Sequence, residues 1–289
     1  MILAADSGST STNWALISTK GLEKQLDTSG INPYYMQGDE IGQRLQEELL
    51  PLLSKEERAN IDQIYFYGSG CSTPSKQELM KEKLQLISPN ASVFPSHDVL
   101  ASARACCGRG KGIACILGTG SNACIYDGKN VVKNAISLGY LLGDEGSGVH
   151  IGKRFLTLYL KNKVSPSLKQ AVDTHFNLSF EAILNGIYQG EKPNRFIAGF
   201  AHYILDHAME FPELEDIVRT SFREFIQEYI RPFPEAEDYP LGFVGSVAFL
   251  LQNLLRDEVR KAGYTMGSII RYPIEGLIDY HRQQLLETK

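Results

Sequence analysis

Seven residues near the start of the chain have types that suit a phosphate-binding site. The apolar stretch 2–6 ends in the carboxylate of Asp6, and the glycine- and hydroxyl-rich stretch 7–12 follows it. Glycine lets the backbone approach a phosphate closely, and hydroxyls and successive backbone N–H groups are donors. Asp6 stands where it could hold a magnesium ion on those phosphates, directly or through water. The alternative is a polar hairpin turn.

A second turn of the same kind follows the apolar stretch 113–117. It reads Gly-Thr-Gly-Ser-Asn over residues 118–122 and precedes a strand predicted over 123–126. Two such turns in matching places could bind a polyphosphate from both sides, although neither is a Walker A loop. The predicted phosphate-binding residues are Gly8, Ser9, Thr10, Ser11, Thr12, Gly118, Thr119, Gly120 and Ser121.

Two further carboxylates precede predicted helices. Asp98 comes directly before a helix expected over 99–107, which makes it a natural N-cap that accepts backbone N–H bonds. Such bonds lower the pKa of a carboxyl group and keep it ionised. Asp144 and Glu145 precede a glycine pair and a helix whose expected N-cap is Ser147. The sequence therefore leaves two roles open for Asp144, one at the start of the helix and one in binding a ligand.

The order of predicted elements occurs twice along the chain. Three short strands open each half, and helices and strands alternate after them, with a long helix expected over 247–261 and a terminal helix from about 273. Repetition at this scale predicts two α/β lobes with a cleft between them. We expect lobes over 1–111 and 112–272, with the C-terminal helix 273–289 joining the first lobe.

Composition limits the classes of function. The 289 residues carry a net charge of -5, which argues against general nucleic-acid or anionic-membrane binding. No apolar run approaches the roughly 20 residues that span a bilayer. The five cysteines include no CxxC pair, so a reducing, cytoplasmic location is expected, with the cysteines acting as buried small side chains.

Four motifs together resemble the sugar kinase/Hsp70/actin superfamily. They are the opening turn, the GTGSN turn, the stretch Gly-Asp-Glu-Gly-Ser at 143–147 and the late Gly-Phe-Val-Gly-Ser at 242–246. Their combination is similar to N-acetylglucosamine kinases and the BadF/BadG/BcrA/BcrD-type ATPases over essentially the whole length. The resemblance implies an α/β fold of two ribonuclease H-like (actin-like ATPase) lobes with a central cleft and duplicated βββαβαβα topology. It also implies ATP and Mg²⁺ as ligands.

The resemblance assigns roles position by position. Both turns match contacts to the ATP phosphates, and Gly245 and Ser246 match the segment beside the adenosine. Asp98 matches the catalytic aspartate, whereas Asn32, Asn122 and Asp144 match sugar contacts.

The resemblance also implies an activity. It implies a kinase that phosphorylates N-acetylglucosamine at the 6-hydroxyl, with Asp98 as general base. Glucosamine or muramic acid as substrate, an ATPase that activates a partner enzyme, and a sugar sensor without catalysis stay as alternatives. Relatives often pair, so a homodimer is also an expectation.

Overall fold

The structure is a computed structural model that describes residues 1–8 and 10–287. The chain folds into two compact units. The first comprises Met1–Gly110, Asp127–Val131 and Tyr272–Lys289, and the second comprises Lys111–Tyr126 and Val132–Arg271. Each unit is built on one five-stranded sheet.

The sheet of the first unit has the strand order β3-β2-β1-β4-β5. Strand β1 pairs antiparallel with β2 and parallel with β4, and β4 pairs parallel with β5. Residues 2–5 of β1 are buried, as a continuous apolar run predicts for a central strand covered on both faces. The strands are β1 (Ile2–Ser7), β2 (Ser11–Ser18), β3 (Gly21–Ser29), β4 (Gln63–Gly68) and β5 (Ser92–His97).

Four helices of the first unit lie between these strands or directly after the last of them. They are α1 (Gly38–Arg44), which continues through a π-helical turn at Leu45–Leu49, α2 (Lys55–Ala59), α3 (Pro74–Leu84) and α4 (Asp98–Cys107). Ser54 caps α2 in a capping box with Glu57, and Thr73 caps α3. Helix α4 begins directly at the end of β5, so the last strand residues fix where this helix starts.

The sheet of the second unit repeats the same topology. Its order is β10-β9-β6-β7-β8, in which β6 pairs antiparallel with β7 and parallel with β9. Strands β6 to β10 thus take the places of β1 to β5, and the predicted duplicated, actin-like ATPase fold is confirmed. The strands are β6 (Gly112–Leu117), β7 (Ser121–Tyr126), β8 (Val131–Asn134), β9 (Leu241–Val244) and β10 (Met266–Ile270).

Eight helices belong to the second unit. They are α5 (Gly139–Leu142), α6 (Gly148–Leu160), α7 (Pro166–Phe176), α8 (Phe180–Tyr188), α9 (Pro193–His207), α10 (Pro212–Phe225), α11 (Ser246–Leu250) and α12 (Gln252–Lys261). The single helix expected over 247–261 is wrong, because buried Leu251 has φ -105° and ψ 25° and separates α11 from α12. Within residues 1–8 and 10–287, the structure contains no helix with the length and apolar character of a membrane span.

The last helix, α13 (Pro273–Glu287), packs against α4 of the first unit. A Cβ on Gly276 would lie 2.3 Å from Ala105 O, so the close approach requires glycine. His281 is fully buried and shares hydrogen bonds of 3.0 Å with Tyr67 Oη and with Gln284 Oε1. Burial, helped by the charge of Arg104, lowers the pKa of His281 to about 3.

We predict that His281 makes the protein less stable in acid. Between about pH 6.5 and 3 the unfolded state binds a proton that His281 in the folded state does not. The free energy of unfolding therefore falls as the pH decreases, by about 2 kcal/mol for this group between pH 6.5 and 5. His281→Gln should remove that part of the pH dependence, measured by urea denaturation at both pH values. The matched control is His202→Gln, at an exposed histidine. If this variant removed as much of the pH dependence as His281→Gln does, the assignment to His281 would be contradicted.

Candidate functional site

Three parallel strands of the first sheet end at one level. The register pairs Ser7 of β1 with Gly68 of β4, and Gly68 with His97 of β5. The carboxyl ends of parallel strands form the edge at which α/β folds gather ligands. The turn after Ser7, the turn that begins at Ser69, and Asp98 therefore leave the sheet side by side.

The predicted phosphate turn after β1 is a tight hairpin. Gly8 N donates to Ser11 O at 3.0 Å, and Gly30 N donates to Thr10 O at 2.9 Å. The side chains of Thr10 and Ser11 are exposed at this edge. Ser9, also predicted to contact phosphate, lies outside the described residues.

Thr12 has a different environment from the rest of that turn. It is fully buried, and its hydroxyl lies 2.7 Å from Ser7 Oγ and donates to Ser29 O at 3.2 Å. Ser7 Oγ in turn accepts from Ile31 N at 3.1 Å. The Thr12 side chain therefore ties the turn to β3 and to the segment that carries Asn32, and we keep it as a positioning residue only.

Asp98 is the first residue of α4, and the prediction that it is the N-cap is wrong. His97 takes that position, and its Nδ1 accepts from Leu100 N at 3.2 Å. A neutral imidazole nitrogen is an acceptor, so histidine can cap a helix. The Asp98 carboxylate is left to accept from Ser69 Oγ, 2.8 Å from Oδ2. The positive end of the helix also favours a negative charge at this position.

Asp6 is electrostatically coupled to Asp98. Burial, together with the negative charge of Asp98, raises the pKa of Asp6 to about 7. Two carboxyl groups thus concentrate negative charge at the edge of the first sheet. Carboxylate oxygens are the ligands that Mg²⁺ prefers, and a divalent cation offsets such a charge. The residues at this edge therefore fit a magnesium ion.

Asn32 reaches the same edge through Gly70. Asn32 is buried and its Oδ1 accepts from Tyr34 N at 3.0 Å. A Cβ on Gly70 would lie 2.4 Å from that oxygen, and Gly70 has φ +89°. Only glycine allows Asn32 to lie so close to the turn that begins at Ser69, which hydrogen-bonds to Asp98. Asn32 and Asp98 therefore belong to one contiguous site in the first unit.

The second unit presents a backbone turn at the corresponding edge. Gly118 N donates to Gly120 O at 3.0 Å, which closes the turn between β6 and β7. Gly148 N and Val149 N at the start of α6 donate to Gly118 O and Thr119 O at 2.8 and 3.1 Å. A Cβ on Gly118 would have nothing within 4 Å, so open space lies beside the turn.

Gly245 lies against this turn. Its φ is +126°, and a Cβ there would lie 2.2 Å from Leu117 O and 3.1 Å from Gly118 N. Gly245 N donates to Ile270 O at 3.0 Å, which holds the residue at the ends of β9 and β10. Ser246, partly exposed, begins α11. The predicted nucleotide residues of the second unit are therefore assembled around the ends of β6 and β9.

Asp144 contacts the turn between β6 and β7 through its carboxylate. It is buried at φ +62°, and its Oδ1 accepts from Ser121 N at 3.2 Å. A Cβ on Gly120 would lie 3.1 Å from Asp144 Oδ2. Burial raises the pKa of Asp144, and the bond from Ser121 opposes this shift. Its carboxylate thus contacts the turn.

Asn122, the other predicted sugar contact of the second unit, is partly exposed. Its Oδ1 accepts from Ala123 N at 2.8 Å. This local bond fixes the side-chain oxygen against the strand that begins after the turn. Asn122 follows Ser121 in the chain, whereas Asp144 accepts a hydrogen bond from Ser121 N. Both remain candidate sugar contacts.

The sequence patterns did not predict two residues that position the candidate side chains. Ser69 holds Asp98, and Tyr229 accepts from Asp144 N at 3.3 Å. A Gly-Ser-Gly stretch at 68–70, directly after an apolar strand, was a usable signal for Ser69. Tyr229 gave no such signal, because it belongs to an apolar helical pattern far from Asp144 in the chain.

The remaining candidates give no metal centre. Across the described residues, histidine, cysteine, aspartate and glutamate form no group of three or more able to hold a metal ion. Four cysteines are buried and Cys107 is partly exposed.

Comparisons with solved structures agree with this fold. A Porphyromonas gingivalis protein provisionally described as an N-acetylglucosamine kinase is 39% identical with a TM-score of 0.89, covering 98% of this chain and 99% of its own. A Chromobacterium violaceum protein with the same provisional description is 18% identical with a TM-score of 0.73, covering 96% and 98%. A ROK family glucokinase from Streptomyces griseus, solved with glucose and AMPPNP, is 14% identical with a TM-score of 0.54, covering 96% and 97%.

No protein-family model matches the chain, and no curated protein matches it. The fold defines a member of the actin-like ATPase class. Because of the 39% identity over nearly all of both chains, the chain belongs to the N-acetylglucosamine kinase-like family of that class. This family falls among the sugar kinases, which are phosphotransferases with an alcohol group as acceptor.

We predict that Gly245→Ala is more destabilising than Gly263→Ala. Both residues have positive φ, but a Cβ at Gly263 would have nothing within 4 Å, whereas one at Gly245 would collide with Leu117 O. The strain common to both is about 1–2 kcal/mol, and the collision should add about 1–3 kcal/mol. Urea denaturation of the two variants measures the difference. Equal losses would show that Gly245 is not packed on the Gly118 turn as described.

Proposed function

We propose that the protein is an ATP-dependent kinase that phosphorylates the 6-hydroxyl of N-acetylglucosamine. The observation that carries the proposal is the position of Asp98. Its carboxylate lies at the strand-end edge, bonded to Ser69 and coupled to Asp6. Pure sugar recognition does not need a base there, whereas phosphoryl transfer to an alcohol does.

Asp98 acts as the general base. The sugar hydroxyl gives its proton to the Asp98 carboxylate while its oxygen attacks the γ-phosphorus, and the bond to the ADP oxygen breaks. The Ser69 hydroxyl holds one carboxylate oxygen and leaves the other for the proton. General-base help of this kind contributes roughly 10²–10⁴-fold to the rate. Alignment of the hydroxyl with the phosphate can contribute about 7–11 kcal/mol.

Asn32 orients the sugar. Its Oδ1 already accepts from Tyr34 N, so the side-chain oxygen is fixed and the amide Nδ2 is left to donate to a sugar oxygen. A fixed amide discriminates between hydroxyl positions better than a mobile one, because less side-chain entropy is lost on binding. Asn122 and Asp144 are the further proposed sugar contacts.

Backbone groups bind the nucleotide. In the second unit, Gly118, Thr119, Gly120 and Ser121 would contact the phosphates, and Gly245 and Ser246 would lie beside the adenosine. The open space at Gly118 supports this assignment, because a phosphate needs the room that a side chain would fill. In the first unit, the hydroxyls of Thr10 and Ser11 would contribute donors to phosphate, and Gly8 would let the phosphate approach the backbone closely. Because Gly118 N and Ser121 N are engaged within the second unit, Thr119 and Gly120 would supply the backbone donors of this turn, and preformed donors stabilise the charge of the transferred group without reorganisation.

Asp6 would hold a magnesium ion, directly or through water. The ion would neutralise charge on the transferring phosphoryl group. Burial and then the negative charge of Asp98 raise the pKa of Asp6 to about 7, and a bound cation would offset both effects. Because Asp6 would bind the ion on the phosphate, Asp98 remains to accept the proton of the sugar hydroxyl.

We expect N-acetylglucosamine to give the highest kcat/KM in a panel of amino sugars tested with ATP·Mg²⁺. The 39% identical relative, provisionally described as a kinase of this sugar, supports the choice. The panel contains N-acetylglucosamine, N-acetylmannosamine, glucosamine, muramic acid and glucose, and NMR of the product gives the phosphorylated position. A phosphate on another hydroxyl, or preference for another sugar, would overturn the substrate assignment. Absence of transfer to every sugar would overturn the kinase assignment.

Asp98→Asn should lower kcat by about two to four decades, because the amide cannot accept the proton. The KM for ATP should stay nearly unchanged, since Asp98 contacts the acceptor. Ser69→Ala, which keeps the base but loses its hydrogen-bond partner, should show a smaller loss of kcat. A coupled assay of ADP release measures all three proteins, with thermal unfolding as the folding control. Normal turnover of Asp98→Asn would end the general-base assignment.

A further inference from the structure

A cavity of the first unit is lined by residues outside the candidate kinase site. Its volume is about 700 Å³, within the range of small-molecule sites. Its walls come from β4, β5, α4, α13 and the turn before β8. The lining includes three aromatic side chains and three cations, and none of them belongs to the site described above. These six residues are Tyr65, Phe94, Arg104, Arg109, Lys129 and Tyr280.

Two of the aromatic rings form a flat wall. Tyr65 and Phe94 are register partners on β4 and β5, and their rings stack with centroids 4.8 Å apart and an interplanar angle of 18°. Gln284 Nε2 donates to Tyr65 Oη at 2.5 Å, which fixes that ring. Phe94 is 43% exposed, so part of its ring is open to a ligand. Its open ring surface suits a planar group, as aromatic residues do in nucleotide and nucleic-acid sites.

The two arginines converge on one tyrosine. The guanidinium carbons of Arg104 and Arg109 lie 5.1 and 5.3 Å from the centroid of the Tyr280 ring. Arg104 Nη1 also donates to Tyr67 Oη at 2.7 Å. The ring contacts hold both guanidinium groups at the cavity. Planar guanidinium donors match the oxygens of a phosphate group.

Lys129 is held next to Arg109 by the turn on which it lies. Gly128 has φ +98°, and a Cβ there would lie 2.7 Å from Arg109 O, so this turn packs on the backbone of Arg109. The acids near the cations are already engaged. Asp127 accepts from Lys129 N and Asn130 N, and Glu287 forms a surface ion pair of 2.7 Å with Arg109. Such a surface pair is weak and gives way to a stronger anion.

The cavity therefore collects positive charge in an acidic protein. Its lining contains three cations and no aspartate or glutamate, whereas the whole chain carries a net charge of -5. The same field reaches α13, where the charges of Arg104 and Arg109 help to lower the pKa of His281. A concentrated positive site in an acidic chain favours a small anion over a polyanion such as nucleic acid.

We propose that this cavity binds a nucleoside monophosphate, with the phosphate on Arg104, Arg109 and Lys129 and the base on Phe94. The site is separate from the proposed catalytic one. Ser96 and Leu100 line it and flank His97 and Asp98 in the chain, so its occupant contacts the segment that carries the proposed base.

Isothermal titration of adenosine monophosphate tests the proposal. The protein is first saturated with AMPPNP and Mg²⁺, so that the proposed ATP site is occupied. We expect one further adenosine monophosphate per chain. Arg109→Gln with Lys129→Gln should raise its Kd at least tenfold. The matched double variant of exposed lysines in the second unit, Lys161→Gln with Lys163→Gln, has the same charge change and should leave the Kd unchanged.

A second variant tests the aromatic wall. Phe94→Leu should weaken binding of adenosine monophosphate and leave binding of inorganic phosphate unchanged. Absence of binding, an unaltered Kd in the Arg109/Lys129 variant, or equal weakening in the lysine control would overturn the site. Inorganic phosphate that binds as tightly as adenosine monophosphate would overturn the nucleotide assignment. The turnover and the KM for ATP of the Arg109/Lys129 variant, which should match those of wild type, separate this result from failure of the kinase proposal.

Discussion

The register of the parallel strands is the constraint on which the candidate residues of each unit depend. In the first sheet, Ser7, Gly68 and His97 stand at one level, so the turns that follow them open at one edge. In the second sheet, Ile116 and Val244 are paired in the same way. A slip of one residue would reverse which side chains face each side of the sheet. The fixed register therefore determines that separate chain segments meet.

The two units use this shared topology differently. The first provides side chains, because Asp6, Asn32 and Asp98 carry the polar atoms and Ser69 aligns one of them. The second provides backbone, because Gly118 and Gly245 bring bare peptide groups together at distances that a Cβ would prevent. The first unit thus brings polar and titratable side chains to its strand ends, whereas the second brings backbone groups close together there. Duplication of one fold has therefore placed different chemical groups at the two sheet edges.

The charged side chains discussed for the first unit form two groups, one acidic and one basic. At the strand ends, burial and the negative charge of Asp98 raise the pKa of Asp6, which favours a cation there. Elsewhere in the first unit, Arg104 and Arg109 lie over Tyr280, and they add to the burial that lowers the pKa of His281. Helix α4 lies between these regions, with Asp98 at its start and Arg104 on its later turns. This helix therefore carries opposite charges at its start and on its later turns.

The sequence by itself determined the strands, the two glycine turns and their repetition, which follow from local patterns, namely apolar runs and turn residues. The resemblance of its motifs to a known family marked Asp98 as a candidate base. Only the tertiary structure decided that His97 caps α4, that Thr12 is buried, and that Asp144 lies under Gly120. It also brought Ser69 to Asp98 and Tyr229 to Asp144. These contacts join residues up to 85 positions apart, and strand register and burial, which no local pattern encodes, decide which of them meet.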